Sequence, residues 1–186
     1  MKDHGDRPLA HWLSPHPDIM PGDVALYVVD KNAPWSAKAV GVGEKIGLHY
    51  FGKQYSHVTV LAEEEGWQYE ETFPWAQRSR LDESRRFEIW RIGRLTLPER
   101  AMILRWWHKK IRWLKIGPWW IGHPYNLVGV CTGGIIRLPG TYFCSQAAGM
   151  SYQAAGRGFG DDIMSPDGIP LVPGAKMIYR HIPRKP

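Results

Sequence analysis

Thr141-Tyr142-Phe143-Cys144-Ser145-Gln146-Ala147-Ala148 places a cysteine where an extended aromatic run gives way to small residues that favour a helix. A helix that begins at a cysteine favours the thiolate and offers free backbone N–H groups to a developing oxyanion. Free cysteine is also among the residue types most often buried, and a structural thiol is commoner than a reactive one. Cys144 is therefore a candidate nucleophile that needs a partner elsewhere in the chain.

Length and composition predict one globular domain. The chain has 186 residues, which fits a domain of about 100 to 200 residues. A composition of 44% hydrophobic and 23% charged residues excludes a disordered class. Two cysteines, Cys131 and Cys144, are too few for a disulfide framework, which favours a reducing compartment. We assign residues 1–20, rich in Pro, His and Asp, to an N-terminal arm and residues 21–186 to a single domain.

The N-terminal residues and the hydropathy of the chain bear on its location. Charged residues and a proline occupy Met1–Pro8, where a signal peptide needs an apolar core. No stretch reaches the roughly 18 apolar residues of a membrane span. We therefore expect no transmembrane segment, and either a cytoplasmic location or delivery without a Sec signal.

A basic and aromatic stretch spans Arg105–Lys115. The formal net charge of +6 and the pI near 9.4 favour anionic partners such as nucleic acid, glycopolymers or lipid headgroups, without choosing among them. Interleaved tryptophans and cations can stack on bases or lie at a membrane surface. The same stretch fits a helix with a solvated basic face, which we favour, because its apolar residues recur at helical spacing. These residues are Leu104, Trp107, Ile111 and Leu114.

Short apolar or alternating runs bounded by turn residues predict five strands. They are Val24–Val29, Ser56–Leu61, Trp67–Phe73, Phe87–Arg91 and a last strand near Ala175–Arg180. The acidic turn between the second and third runs predicts a hairpin, and the charged residues 78–86 predict a connector to the fourth.

Helix signals are fewer. Thr96-Leu97-Pro98-Glu99 has the arrangement of a capping box with proline in the first turn, which predicts a helix from about Leu97 to Leu114. A second helix is expected from Cys144 to about Ala155. Weaker signals predict a helical stretch over Ser36–Ile46 and a turn with a short helix over His123–Gly129. The elements together predict an α+β fold with a small antiparallel sheet.

His57, at the start of the second predicted strand, is the best candidate for a general base. A thiol attacks a carbonyl carbon efficiently when an imidazole takes its proton and a third group orients that imidazole. A strand gives the ring a rigid position from which it can face Cys144 across a cleft. The alternative is a histidine with a structural hydrogen bond at a sheet edge, since the chain has eight histidines.

The third group is expected on the strand that pairs with the strand of His57, where Glu70 and Glu71 are the options. Alternation puts Glu71 on the same face as the aromatic residues of that strand and Glu70 on the other face. A buried carboxylate requires a partner, and His57 provides one. We therefore prefer Glu71 and keep Glu70 as the second choice. A solvated glutamate is the ordinary interpretation of either.

Other chemistries find little support in the sequence. The histidines and aspartates of residues 1–20 lack the helical or turn-fixed geometry of a metal site, so we expect no metal. No phosphate-binding loop or dinucleotide fingerprint is present, so we expect no nucleotide cofactor. Cys131 lies in a glycine-rich stretch and is interpreted as a packed or incidental thiol. His108 and His123 lack strand context.

Six short motifs follow one another in a characteristic order. They are Pro21–Val24, Ser56–Val60, Tyr69–Thr72, Pro124–Leu127, Tyr142–Gln146 and Ser165–Gly168. Together they resemble the circularly permuted papain-like amidases, the permuted branch of the NlpC-type cysteine peptidase superfamily, in which the histidine precedes the cysteine. The resemblance covers roughly residues 21–170.

The resemblance implies a permuted papain-like fold. In such a fold a small antiparallel sheet or half-barrel packs against the helix that bears the nucleophilic cysteine. It implies a catalytic triad of Cys144, His57 and Glu71, with no cofactor, and it makes residues 21–186 the catalytic domain. It further implies that Tyr125 and Ser145 line the oxyanion or substrate site.

The chain departs from the family pattern at three positions. Gln146 replaces the usual glutamate after the cysteine-serine pair, and Thr72 replaces the usual small residue after the strand acid. Neither change removes a catalytic group. Asn126 replaces the aspartate of the mid-chain motif, which leaves that position without an assigned role.

The implied activity is cleavage of an amide or ester bond through a thioester acyl-enzyme. We expect a peptide or peptidoglycan substrate, hence an amidase or endopeptidase. Such an enzyme lacking a signal peptide would be a phage virion or lysis protein, or a secreted effector. The alternative is a non-enzymatic binding or structural protein, for example of a virion, that keeps the fold. Its basic, tryptophan-rich surface at Arg105–Lys115 would bind nucleic acid, membrane or a protein.

Overall fold

The structure, a computed structural model, describes residues 18–28, 55–116, 119–126, 138, 141–159 and 166–183. The helical stretch predicted over Ser36–Ile46, the thiol of Cys131 and the greater part of the N-terminal arm lie outside these residues. Ile19 belongs to the described part of the arm and is buried against one face of the sheet.

Six antiparallel strands form the main sheet. They are β1 (Val24–Val28), β2 (Tyr55–Leu61), β3 (Trp67–Glu71), β4 (Ala76–Arg80), β5 (Phe87–Ile92) and β8 (Ala175–His181). Their order across the sheet is β4-β3-β2-β1-β5-β8, so β1 and β2 lie at the centre. The apolar run of β1 suits this central place, because a strand covered on both faces needs no polar face.

Helix α1 (Leu97–Ile111) begins at the predicted capping box. The Thr96 hydroxyl accepts from the backbone N–H of Glu99, and the Glu99 carboxylate accepts from that of Thr96. This reciprocal pairing satisfies two N–H groups that lack partners within the helix.

The predicted end of α1 at Leu114 is wrong. The helix stops at Ile111, and two short strands, β6 (Leu114–Ile116) and β7 (Trp119–Ile121), pair as an antiparallel hairpin. Leu114 is therefore exposed on a strand and does not belong to the buried stripe of the helix. The buried face of α1 consists of Arg100, Ile103, Leu104 and Trp107.

Helix α2 (Cys144–Ala154) begins at the predicted cysteine. Its buried residues join α1 and one face of the sheet in the larger of two core clusters. A six-residue 3₁₀ helix (Pro166–Leu171) precedes β8. The Asp167 carboxylate at its start accepts a hydrogen bond from the backbone N–H of Tyr55, at 2.9 Å, and so joins this helix to the first residue of β2.

The turn before β1 is the point where the sheet and both helices meet. Arg100 of α1 donates to the backbone carbonyl of Pro21, and the Tyr152 hydroxyl of α2 donates to that of Gly22. The Asp23 carboxylate, which is fully buried, accepts from Arg91 of β5 and from Arg100. The architecture is thus α+β, as predicted, with a six-stranded antiparallel sheet and few helices in the described residues.

Two local predictions fail where the sequence carries no clear periodicity. Residues 78–80, predicted as connector, belong to β4, which pairs with β3 along its whole length. Strand β4 buries Ala76 alone, so no apolar alternation marks it in the sequence. Over His123–Gly129, predicted as a turn with a short helix, residues 123–126 are not helical, and Pro124 and Tyr125 form isolated β-bridges; residues 127–129 lie outside the described residues.

No helix of the described residues is long and apolar enough to cross a membrane.

Candidate active site

Cys144 is the first residue of α2 and is almost fully buried, with 2% of its surface exposed. Phe143 precedes it as the N-cap in an extended conformation and offers no side-chain hydrogen bond to the helix. The first N–H groups of a helix have no partner within it. The N–H groups at the start of α2, beginning with that of Cys144, are therefore oriented as anion donors beside the sulfur.

His57 of β2 contacts a carboxylate and is close enough to Cys144 for the two to interact electrostatically. Its Nε2 lies 2.9 Å from the Glu70 Oε2, and its interaction with Cys144 raises the pKa of its ring. Because Nε2 is taken by Glu70, Nδ1 is the nitrogen left for the sulfur. The structure thus brings the predicted nucleophile and the predicted base together, although they are far apart in the sequence.

Glu70, and not the preferred Glu71, is the carboxylate that contacts His57. Its other oxygen, Oε1, accepts a hydrogen bond of 2.9 Å from the Gln77 amide on β4. Both oxygens are therefore engaged, which fixes the carboxylate relative to the ring. The prediction that Glu71 pairs with His57 is wrong, and the second choice has the expected geometry.

The register of β2 and β3 explains why Glu70, rather than Glu71, contacts His57. Val60 pairs with Tyr69 and Leu61 with Gln68, so continued alternation puts Glu70 on the face of Thr59 and His57, and Glu71 on the other. The sequence argument placed Glu71 correctly on the apolar face but assumed that His57 shares it. A register shift between β1 and β2 lies beside His57, and such irregularities re-aim side chains near functional sites.

The contacts of His57 change its protonation. Burial lowers the pKa of the imidazole, but the hydrogen bonds and charges of Cys144 and Glu70 outweigh burial and raise it from 6.5 to about 10. For Glu70, burial raises the pKa, and the hydrogen bond and charge of His57 overcome this and lower it from 4.5 to about 2. The contacts thus favour the imidazolium form of His57 and the carboxylate form of Glu70.

These shifts link stability to pH. The pKa of His57 is higher in the folded chain than its ordinary value, so its contribution to stability is complete below about 6.5 and is lost as the pH rises through about 10. The pKa of Glu70 is lowered, so its contribution is complete above about 4.5 and is lost as the pH falls through about 2.

Glu71 is fully buried, and neither of its carboxyl oxygens has a hydrogen-bond partner. Burial raises its pKa to about 9; the charge of Lys110 opposes this rise, and Cys144 adds to it. Glu71 thus holds its proton at neutral pH. It lies within electrostatic range of the sulfur without touching His57.

The sequence did not predict the aromatic group around Tyr142, two residues before the candidate nucleophile. The His123 ring lies 4.8 Å from the Tyr142 ring and 5.6 Å from that of Trp113, centroid to centroid. Burial and the charge of Lys110 lower the pKa of His123 to about 4, so this ring is neutral. No strand or helix pattern in the sequence indicates that His123 belongs to this group of rings. The neighbouring Gly122 is the one feature of the sequence that could have indicated it. A Cβ at Gly122 would lie 1.8 Å from the Ala76 carbonyl oxygen, so only glycine allows this approach to β4.

The two residues that the resemblance implies as oxyanion or substrate-lining groups, Ser145 and Tyr125, are placed near Cys144 in different ways. Ser145 is buried beside Cys144, and its hydroxyl has no hydrogen-bond partner. Tyr125 forms a β-bridge with Tyr142, two residues before the cysteine. Asn126 is fully buried, and its N–H donates to the carbonyl of Tyr142.

This arrangement is chemically suited to acyl transfer. It combines a thiol that interacts with an imidazole, a carboxylate in contact with that imidazole, and a helix N-terminus at the thiol. Within the described ranges no group of three or more His, Cys, Asp or Glu residues is arranged to hold a metal ion. His108, which lacked strand context, forms a separate contact of 2.6 Å with Glu63.

Comparisons of the whole chain with models of protein families and with curated proteins found no match.

Proposed function

We propose that the protein is a cysteine hydrolase that cleaves an amide or ester bond through Cys144, His57 and Glu70. The observation that carries the proposal is the position of the His57 ring, whose Nε2 lies 2.9 Å from the Glu70 carboxylate and whose pKa is raised by its interactions with Cys144 and Glu70. A buried thiol with a structural role has no need of an oriented imidazole. We further propose that the fold is a permuted papain-like one.

The proposed reaction has two stages. In the first stage the thiol proton passes to His57, and the sulfur of Cys144 attacks the carbonyl carbon while the N–H groups at the start of α2 stabilise the oxyanion. As the tetrahedral intermediate collapses, the carbon–nitrogen or carbon–oxygen bond breaks, and His57 gives its proton to the leaving group. In the second stage His57 takes a proton from water, the resulting hydroxide attacks the thioester, and Cys144 leaves. Glu70 keeps the imidazole oriented throughout.

For the substrate we propose a peptide or peptidoglycan amide. The resemblance to the permuted amidases and the basic surface, which suits an anionic polymer, support this class. Delivery as a phage virion or lysis protein or as a secreted effector would bring such an enzyme to its substrate. Digestion of purified sacculi tests the class, and unchanged muropeptide profiles after prolonged incubation would contradict it.

Alkylation with iodoacetamide tests the nucleophile directly. With peptide mapping at neutral pH, we expect Cys144 to be labelled faster than Cys131, because the imidazole activates its sulfur. Substitution His57→Ala should slow labelling of Cys144 on the order of 10²-fold, the usual lower range for loss of a general base.

The matched control is His108→Ala, which removes a histidine that contacts Glu63 rather than the thiol. It should leave the labelling rate of Cys144 within about twofold, as expected of a substitution away from the reacting group. Equal labelling of the two cysteines, or no effect of His57→Ala in a folded variant, would contradict the proposed nucleophile.

The exposed hairpin supports a second candidate function, docking on an anionic membrane surface. Trp113, Leu114, Ile116 and Trp120 are each 43–54% exposed, and no acidic residue occurs over residues 105–121. Lys115 lies 5.7 Å from the Trp120 ring. Large exposed apolar side chains beside cations suit the headgroup region better than a nucleic acid.

Co-sedimentation with vesicles tests this second function. We expect binding to phosphatidylglycerol vesicles, little binding to phosphatidylcholine vesicles, and a loss of about tenfold or more in affinity for the double substitution Trp113→Ser, Trp120→Ser. Leu171→Ser is the control, because Leu171 is 62% exposed on the 3₁₀ helix. Equal losses in the control and the double variant, or preferential binding of duplex DNA, would contradict it.

A further inference from the structure

Lys110 lies beside the candidate active site, between two aromatic rings. Its Nζ is 5.0 Å from the centroid of Trp106 and 4.6 Å from that of Tyr142. Tyr142 is two residues before Cys144 in a chain that is extended at Phe143, so the tyrosine and the cysteine lie on the same side of this segment. The ammonium is therefore held on the thiol side of the segment.

No carboxylate of the described residues forms a salt bridge with Lys110, although seven such pairs occur elsewhere in this part of the chain. Glu71 is the acid that links this lysine to the thiol, because the charges of both Lys110 and Cys144 affect its pKa. Burial keeps the pKa of Glu71 at about 9, so the carboxyl is neutral and does not cancel the charge of the lysine.

A buried polar group without a partner calls for an explanation. Glu71 has two unpartnered oxygens and no exposed surface. In its protonated form it has one O–H to donate. A negatively charged group next to the thiol would accept this hydrogen bond and would also be attracted by the charge of Lys110. It would thus provide a partner for both residues.

We infer that Lys110 and Glu71 form a subsite for a carboxylate carried by the acyl part of the substrate, close to the carbonyl that Cys144 attacks. This inference rests on the proposed function and names a feature of its substrate. A single cation matches a monoanion, because a phosphate dianion bound there would keep an uncompensated charge in a largely buried place. The aromatic rings hold the ammonium by cation–π contact without neutralising it.

Two alkylating reagents of nearly the same size test the subsite. Iodoacetate carries a carboxylate next to the reacting carbon, and iodoacetamide carries a neutral amide in the same place. The measured quantity is the second-order rate constant for alkylation of Cys144 by iodoacetate divided by that for iodoacetamide. Mass spectrometry of the mapped peptide gives both rate constants. We expect Lys110→Met to lower this ratio roughly tenfold, the effect of removing a full charge within a few ångströms at a partly buried site.

The control substitution is Lys109→Met, because Lys109 precedes Lys110 on α1 but is exposed. It should change the ratio by less than about twofold, since exposed charges are strongly screened. Glu71→Leu should lower the ratio, and Glu71→Gln should restore most of it, because an amide also donates a hydrogen bond without charge.

The outcomes separate the subsite from the proposed hydrolase. An unchanged ratio in Lys110→Met, or equal changes in the two lysine variants, would overturn the subsite even if iodoacetamide still labels Cys144 rapidly. Slow labelling by iodoacetamide in the unsubstituted protein would instead count against the activated nucleophile, whatever the ratio.

Discussion

Substitution Glu70→Gln should reduce hydrolysis by about 10² to 10⁴-fold, the range seen when the carboxylate that orients a catalytic histidine is removed. The amide keeps the shape of the side chain but loses the charge that holds His57 as an imidazolium. The pKa of His57, followed by NMR titration of the ring protons, should then fall from about 10, because one of the two groups that raise it has lost its charge.

The same substitution at the neighbouring Glu71 shows whether the effect on His57 is specific to Glu70. Glu71→Gln should shift the pKa of His57 much less than Glu70→Gln does, because Glu71 does not contact the ring. Glu65→Gln, an exposed change in the turn before β3, serves as the control for hydrolysis. If Glu71→Gln lowers the pKa of His57 more than Glu70→Gln does, the assignment of Glu70 as the third member of the triad is wrong.

Substitution Asp23→Ala should destabilise the protein by about 3–5 kcal/mol, the usual effect of removing one member of a buried ion pair. Asp23 accepts hydrogen bonds from Arg91 and Arg100 and from the backbone N–H of Met20, between 2.8 and 3.1 Å. Arg100 is itself buried, so the substitution leaves its guanidinium without the charge that compensates it. The free energy of unfolding, measured by denaturant titration, gives the effect.

A second substitution separates the ion pair from simple loss of packing. Adding Arg100→Met to Asp23→Ala removes the uncompensated charge and should recover part of the lost stability, so the two effects should not add. Simple addition of the two losses, or a loss below about 1 kcal/mol for Asp23→Ala alone, would show that the pair contributes little. Arg78→Met, which breaks an exposed pair with Glu64, should cost less than about 1 kcal/mol.

Much of the fold could be predicted because local and tertiary preferences agree. The apolar run of β1 and the capping box of α1 each predict their element from a few residues. Helix α2 begins, as predicted, at the cysteine that ends the aromatic run. The strands that were predicted lie within one or two residues of their predicted bounds. Strand β4 and the hairpin of β6 and β7 could not be predicted, because they bury little and thus carry no periodicity.

The candidate site could be predicted only in part. Cys144 and His57 have recognisable contexts, and the structure brings them together. The choice between Glu70 and Glu71 depends on which face of β2 carries the histidine, and a strand with apolar residues on both faces gives no local sign of this. Lys110 and His123 reach the site through the end of α1 and the extended segment after β7. The positions of these two residues near the site cannot be inferred from residue spacing.

The turn at Pro21–Asp23 has a consequence for the order in which the chain assembles. Its carbonyls and carboxylate receive side chains that come 68 to 130 residues later in the chain, so the last of its bonds, from Tyr152, can close only after most of the domain has been made. The helix that bears Cys144 is among the last elements secured there. If Cys144 is the proposed nucleophile, a nascent or partly unfolded chain therefore carries a cysteine of ordinary reactivity, and the reactivity of Cys144 becomes a measure of completed folding.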